Sequence, residues 1–220
     1  MNCEILFQGD YPIVKCSLAA NEELIGESGC MLAMSTNIDI KSSSGGTGIG
    51  GMFKRAITGE SLLLTTFTAK NTPGEVYVAP ASNGDLRVID LVPGKTIIAQ
   101  KGSFLASEKT VKMEMAMQSL SKGLFSGEGF FQQKFSGSGK LIIGSHGNIM
   151  EFDLAAGQEI IIDNGHLVAW DSTITYEIQR AAKGIVSTFA SGEGFVCRMK
   201  GAGKVLVQTR TPPPLVVPSK

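Results

Sequence analysis

"LAAGQEIIIDNG", residues Leu154 to Gly165, has two counterparts in the same chain. "LAANEELIGESG" runs from Leu18 to Gly29, and "LVPGKTIIAQKG" runs from Leu91 to Gly102. Each segment opens on Leu, carries an apolar pair at its seventh and eighth positions, and closes on Gly. The fourth position holds Asn or Gly, residues that tolerate the positive φ of a tight turn before a strand. One turn-and-strand pattern in three copies indicates an internally repeated fold.

The pattern continues beyond each segment. An Ala follows four residues after the closing Gly, and apolar residues recur five and seven places later, a period typical of a strand with one buried face. A Gly-Glu pair comes next, and then a turn that leads into a short β-branched run: "PGEVYV", "SGKLII" or "AGKVLV". We therefore predict one β-rich assembly over 1–220, made of units 11–85, 86–150 and 151–211, with an extended Pro-rich tail at 212–220.

Units of about 65 residues are too small to be stable alone, so we expect the three to bury one another's apolar faces. Closure removes exposed strand edges, which favours a closed or nearly closed pseudo-threefold arrangement of antiparallel sheets. The predicted fold class is all-β with minor helix. The helical candidates are the segments Lys112 to Phe125 and Gly50 to Gly59.

Composition limits the classes of function. The chain has 20 Lys+Arg against 20 Asp+Glu, so no broad field draws it to nucleic acid or to an anionic membrane. No stretch of 18 apolar residues is present and the first residues lack the features of a secretion signal, so we expect a soluble cytoplasmic protein without a transmembrane segment. Four cysteines without a C-x-x-C pair predict buried free thiols: Cys3, Cys16, Cys30 and Cys197.

A glycine-rich stretch, "SGGTGIGGMFKR" at residues 44 to 55, has the G-x-G-x-x-G spacing of a dinucleotide-binding loop at Gly46, Gly48 and Gly51. Such a loop requires a βαβ unit and an acidic residue about 20 positions further on. The chain instead continues into "SLLLTTFTAK", which has the composition of a strand. A loop or hairpin is favoured over a phosphate cradle, although ligand binding at Gly45–Gly51 stays open.

The Gly-Glu pairs supply the one repeated carboxylate, at Glu60, Glu128 and Glu193. These three side chains would form a ring if the units surround an axis. The alternative is a carboxylate that accepts hydrogen bonds from nearby backbone N–H groups of a turn. We favour the turn role.

The remaining candidates are single residues. His146 and His166 are the only histidines, and neither has a second ligand at metal-binding spacing, so each is interpreted as a turn side chain. Trp170 is a candidate for stacking on a base or ligand. No catalytic, cofactor-binding or metal-binding residue is assigned.

Several segments, in this order, carry a family resemblance: "KRAITGES", "GLFSGEGF", "GSGK", "GHLVAW" and "GKVLVQTR". They resemble the altered-inheritance-of-mitochondria family, and the similarity runs from about residue 3 to residue 211. The resemblance implies three tandem units, each like a subunit of the tryptophan RNA-binding attenuation protein, a short double-stranded β-helix variant. It implies no catalytic residues.

These observations favour a non-enzymatic structural or interaction protein, a three-unit β scaffold open to self-association or to a protein partner. The alternative is a binding module for RNA or a small ligand, which ranks lower because the chain lacks Lys-rich and aromatic stripes. An enzyme ranks third, since no nucleophile, base and orienting group can be nominated together. We expect no cofactor.

Overall fold

The computed structural model describes residues 1–9, 11–43, 63–118, 130–180 and 195–212. Within these ranges the chain forms strands and a single 3-10 turn, with no α-helix, and every ladder between strands is antiparallel. The predicted all-β antiparallel fold class is therefore confirmed. The strands are β1 (Asn2–Leu6), β2 (Ile13–Leu18), β3 (Glu23–Glu27), β4 (Met31–Met34), β5 (Ile38–Ser43), β6 (Leu64–Ala69), β7 (Gly74–Val78), β8 (Leu86–Leu91), β9 (Ile97–Gln100), β10 (Phe104–Glu108), β11 (Val111–Gln118), β12 (Phe130–Gly137), β13 (Gly139–Gly144), β14 (Ile149–Leu154), β15 (Glu159–Asp163), β16 (Leu167–Asp171), β17 (Thr175–Arg180), β18 (Phe195–Lys200) and β19 (Gly203–Gln208).

The repeated segments form the same local structure each time. The opening Leu residues are the last residues of β2, β8 and β14, and the apolar pairs lie in β3, β9 and β15. Between them, the fourth position of each segment has a positive φ: 64° at Asn21, 89° at Gly94 and 81° at Gly157. Only residues that accept this left-handed conformation allow so short a turn. The turn prediction is confirmed.

The strands are distributed over four sheets, whose orders are β1-β2-β7-β4, β5-β6-β3-β10-β13-β8, β11-β12-β9-β16-β19-β14 and β15-β18-β17. Equivalent ladders recur along the chain, since β2 pairs with β7, β8 with β13, and β14 with β19. Two further ladders, β3 with β10 and β9 with β16, cross the expected boundaries at 85/86 and 150/151. The unit boundaries themselves stay a prediction.

The series of strands is open at both ends. In the described residues, β4 pairs only with β7 and β15 pairs only with β18. No ladder joins β4 to β15 in this part of the chain. The expected closure of the arrangement is therefore not formed between these two strands, which we call the end strands.

Buried side chains form three clusters, and the middle one draws on strands from both sides of an expected boundary. Its centre is a stacked aromatic pair, Phe104 and Phe135, whose ring centroids lie 5.5 Å apart. Ala169 and Leu206 of the third expected unit pack into the same cluster. Burial of each large side chain contributes about 1.5–3 kcal/mol, so this cluster stabilises contacts between strands of the second and third expected units.

The helix expected from Lys112 to Phe125 is wrong where the structure describes it. β11 occupies Val111–Gln118 and pairs with β12 along its whole length. Met113 and Met115 pack against the middle cluster, while the intervening side chains are exposed, which is the period of a strand. Ladder formation with β12 outweighs the weak helical propensity of this stretch. Residues 119–125 and the second helical candidate lie outside the described residues.

All four cysteines are free thiols, and Cys16, Cys30 and Cys197 are buried while Cys3 is partly buried. Burial raises the pKa of Cys30 and of Cys197 to about 12. These thiols therefore behave as small apolar side chains. In the part of the chain that the structure describes, no helix is long and apolar enough to span a bilayer.

Candidate functional site

Several candidates from the sequence fall outside the described residues. They are the glycine-rich loop Gly45–Gly51, the repeated carboxylates Glu60, Glu128 and Glu193, and most of the Pro-rich tail. Across the described ranges, no group of three or more His, Cys, Asp or Glu side chains is placed to hold a metal ion.

Both histidines form hydrogen bonds with the same residue, Gln208. Gln208 accepts a hydrogen bond from the backbone N–H of His146 at 2.9 Å, and its side-chain N–H donates to the carbonyl of Gly165 at 2.8 Å. His166 donates from Nδ1 to the carbonyl of Gln208 at 2.7 Å. The imidazole of His166 thus helps to hold a turn, because its ring nitrogen satisfies a backbone acceptor.

Trp170 is not available for stacking on a base. Its side chain is 1 % exposed, and its ring meets Tyr176 edge to face at 5.0 Å between centroids. A base or ligand needs a free ring face, and this ring is enclosed in the third cluster. The stacking hypothesis for Trp170 is wrong.

A gap between β2 and β8, which we call the first gap, is filled by the chain's own first strand. β1 pairs with β2 so that Cys3 lies opposite Cys16 and Ile5 lies opposite Val14. Met1, Cys3 and Ile5 pack against the first cluster, as does Val88 of β8. The amino group of Met1 forms an ion pair with Glu22 and lies 3.9 Å from Glu108.

A second gap lies between β8 and β14, and none of the described residues fills it. Its volume is about 270 Å³. The outer edges of β8 and β14 have no ladder partner in the described residues. The lining combines apolar and charged side chains: Arg87, Val88, Ile89, Asp90, Lys95, Ile97, Glu151, Ala169, Trp170, Asp171, Lys204 and Leu206.

The two gaps have equivalent walls. Arg87 and Ile89 lie four and two residues before Leu91, just as Val14 and Cys16 lie four and two residues before Leu18. Val14 and Cys16 are fully buried, whereas Arg87 and Ile89 remain half-exposed. The difference follows from β1, which covers β2 but has no described counterpart over β8.

Each of the three carboxylates that line the second gap has a described partner. Glu151 forms an ion pair with Lys204, and Asp90 lies 2.5 Å from the Lys140 amino group. Asp171 accepts a hydrogen bond from the backbone N–H of Lys204 at 2.8 Å. The Nε atom of Arg87, however, is buried and has no acceptor. A buried donor without a partner costs free energy that a ligand's acceptor would recover.

The end strands form another candidate surface. Leu32 of β4 is 58 % exposed, whereas Leu105 and Val168, at the equivalent positions of β10 and β16, are 3 % and 0 % exposed. On β15, Ile161 is 59 % exposed, and its equivalents Ile25 and Ile98 are partly buried. The apolar end strands are therefore exposed because nothing described pairs with them.

A further, polar cavity of about 360 Å³ lies where the turns before β2, β8 and β14 meet. The carboxylate of Asp85 lines it and already accepts hydrogen bonds from the backbone N–H groups of Leu86 and Ile149, at 2.8 and 3.4 Å. Its most prominent acidic group is thus engaged in fixing the turn.

Neither the second gap nor the end strands were identified from the sequence. The signal for the second gap is a charged Arg87 at a position where the first copy has Val14. No feature of the sequence identifies the end strands. Leu32, Leu105 and Val168 have the same apolar character and differ only in the strands that lie beside them.

The chain resembles known proteins over nearly its full length. An uncharacterized protein of Streptococcus pyogenes serotype M6 is 27% identical over 206 residues, which cover 90% of this chain and 82% of that protein. A crystal structure of a Streptococcus pyogenes protein superposes with a TM-score of 0.80 at 25% identity, covering 96% of this chain and 94% of that one. The sequence model of the family described as "Mitochondrial biogenesis AIM24" matches residues 3–210. These matches confirm the resemblance seen in the sequence motifs, and the chain belongs to the AIM24 family.

Proposed function

We propose that this protein is a non-enzymatic scaffold whose copies associate head to tail through their end strands. The observation that carries the proposal is the exposure of Leu32 on β4, at a position that is buried in both equivalent strands. Apolar, unpaired strand edges promote pairing with another chain unless they are covered.

The proposed partner strand already has a template within the chain. β10 pairs with β3 so that Ala106 lies opposite Gly26, and β16 pairs with β9 so that Ala169 lies opposite Ala99. β4 is equivalent to β10 and β16, and β15 is equivalent to β3 and β9. If β4 of one copy paired with β15 of the next, the same register would place Ala33 opposite Ile162.

This contact uses two different surfaces, so each copy keeps one free end strand after the first association. Heterologous contacts of this kind build closed rings or open chains, depending on the rotation between copies. The association should therefore depend on concentration and proceed beyond a dimer.

The non-enzymatic character rests on the sequence, where no nucleophile, base and orienting group occur together. Free thiols at all four cysteines suit a reducing compartment such as the cytoplasm, which is the location that we propose.

A binding module for a small ligand is the second candidate, and the open second gap with the unpartnered Arg87 Nε supports it. The RNA-binding version has less support, because the chain carries no net charge and Trp170 is enclosed. Native mass spectrometry of the purified chain separates the candidates, since a retained small molecule favours the ligand module.

Sedimentation velocity over a concentration series tests the scaffold. The wild-type chain should form species larger than a dimer, and L32K or I161K should reduce them, because each charge blocks one end strand. A mixture of L32K and I161K chains should form a 1:1 dimer that grows no further, since only one compatible pair of ends remains. The control V92K replaces an exposed side chain away from both end strands.

Wild-type chains that sediment as monomers at every concentration would contradict the proposal. So would a 1:1 mixture of the two variants that contains no dimer.

A further inference from the structure

We propose that the second gap binds an extended peptide segment of another protein, which adds as a strand to the free edge of β8. The peptide carries an aliphatic residue opposite Ile89 and an acidic residue opposite Arg87. This inference goes beyond the scaffold function and uses a surface separate from the end strands.

The chain itself shows how such a gap is filled. In the first gap, β1 pairs with β2 along five residues, and its alternate side chains Cys3 and Ile5 face the first cluster. Val14 and Cys16 of β2 become fully buried beneath them. Strand addition of this type combines backbone hydrogen bonds for affinity with side-chain pockets for specificity.

The second gap offers the same features without an occupant among the described residues. β8 pairs with β13 on one side, as β2 pairs with β7, and its other edge is free in the described part of the chain. Arg87 and Ile89 face the open volume of about 270 Å³. A strand in this gap would bury both side chains, as β1 buries their equivalents.

The register follows from β1. A peptide running antiparallel to β8 places one residue opposite Ile89, at the place that Cys3 takes on β2. The residue two places further toward its C-terminus lies opposite Arg87, at the place that Ile5 takes. Both side chains point into the gap, since residues two apart share one face of a strand.

The lining of the gap determines which peptide side chains fit opposite Ile89 and Arg87. Ile97 and Leu206 line the gap together with Ile89, which favours an aliphatic residue at that position. Arg87 has a buried Nε atom without an acceptor, and a carboxylate opposite it would supply one in a charge-assisted hydrogen bond. The preferred motif, read from N- to C-terminus, is therefore aliphatic, any residue, acidic.

The first strand of a second copy fits this gap poorly. Its Ile5 would meet Arg87, leaving Nε without an acceptor. Its amino group would meet Lys95, which stands four residues after Leu91 just as Glu22 stands four residues after Leu18. The repulsion between two cations and the apolar residue at the acidic position both disfavour a second copy as occupant.

The test is selection of seven-residue peptides from a random phage-displayed library on the immobilised full-length chain, followed by fluorescence anisotropy with the enriched peptides. We expect enrichment of the aliphatic-x-acidic motif. Binding should weaken at least tenfold in R87L, because a charge-assisted hydrogen bond is lost. The variant R87E should select basic residues in place of acidic ones, which a merely destabilised protein would not do.

Three controls make the outcome specific. K41E removes an exposed cation of β5 and should leave binding unchanged. Amide hydrogen exchange should slow in β8 when the peptide binds, because its free edge becomes hydrogen-bonded. Binding should persist in L32K and I161K chains, so that loss of self-association and loss of peptide binding are separate results.

The proposal is overturned if no motif is enriched, or if enriched peptides bind R87L and R87E as they bind the wild type. It is also overturned if a small molecule occupies the gap and the enriched peptides do not compete with it, since the gap is then a ligand pocket.

Discussion

The Sγ atom of Cys3 lies 3.5 Å from the Sγ atom of Cys16, where β1 pairs with β2. The hydrogen bond between the two thiols lowers the pKa of Cys3, and the same bond together with burial raises that of Cys16. Cys3 is therefore the more acidic thiol of the pair and the first to react. This contact lies on the strand that closes the first gap.

Mild oxidation should link Cys3 to Cys16. Diamide removes one hydrogen from each thiol, so the intact mass should fall by two hydrogens and peptide mapping should locate the disulfide. By closing a short loop, the bond should stabilise the folded chain by about 2–3 kcal/mol, measured by urea unfolding. C3S should prevent both changes. A disulfide that forms elsewhere, or one that weakens the fold, would refute the geometry.

Glu27 should weaken the fold at neutral pH. Burial raises the pKa of its carboxyl group above the ordinary value of 4.5, so the folded state disfavours the ionised form. This penalty is absent well below pH 4.5 and grows as the pH rises through the unfolded and then the folded pKa.

E27Q should therefore raise the free energy of unfolding at pH 7 and have little effect at pH 4. Urea unfolding at both pH values measures the difference. E4Q, at an exposed position of β1, serves as the control and should leave the free energy of unfolding unchanged at both pH values. If E27Q gained more free energy of unfolding at pH 4 than at pH 7, the prediction would be contradicted.

Gly84 should tolerate no side chain. It forms a parallel bridge with Gly147, and a Cβ atom at this position would overlap the carbonyl oxygen of Ser145. Because the backbone at Gly84 and the facing backbone at Ser145 must move apart, G84A should lower the free energy of unfolding by about 1–3 kcal/mol. The matched control is G144A, whose Cβ would make an ordinary contact with Pro80 at 3.4 Å. Equal stability of the two variants would contradict the close approach.

Much of the local structure could be predicted from the sequence, because the physical causes are local. The positive φ of Asn21, Gly94 and Gly157 follows from residue types that accept it, and the strands follow from apolar residues with a period of two. The helix predicted from Lys112 was wrong because a ladder with β12, the next strand along the chain, outweighed a weak local helical preference.

The candidate surfaces depended on neighbours that no local pattern specifies. Leu32 and Leu105 are the same residue at the same position of the repeat, and only the presence of β3 beside β10 separates an exposed side chain from a buried one. The position of Arg87 is unusual only because β1 fills the first gap and no described strand fills the second. A period of two establishes that a strand has two faces, whereas the burial of each face is decided by strands brought together from distant parts of the chain.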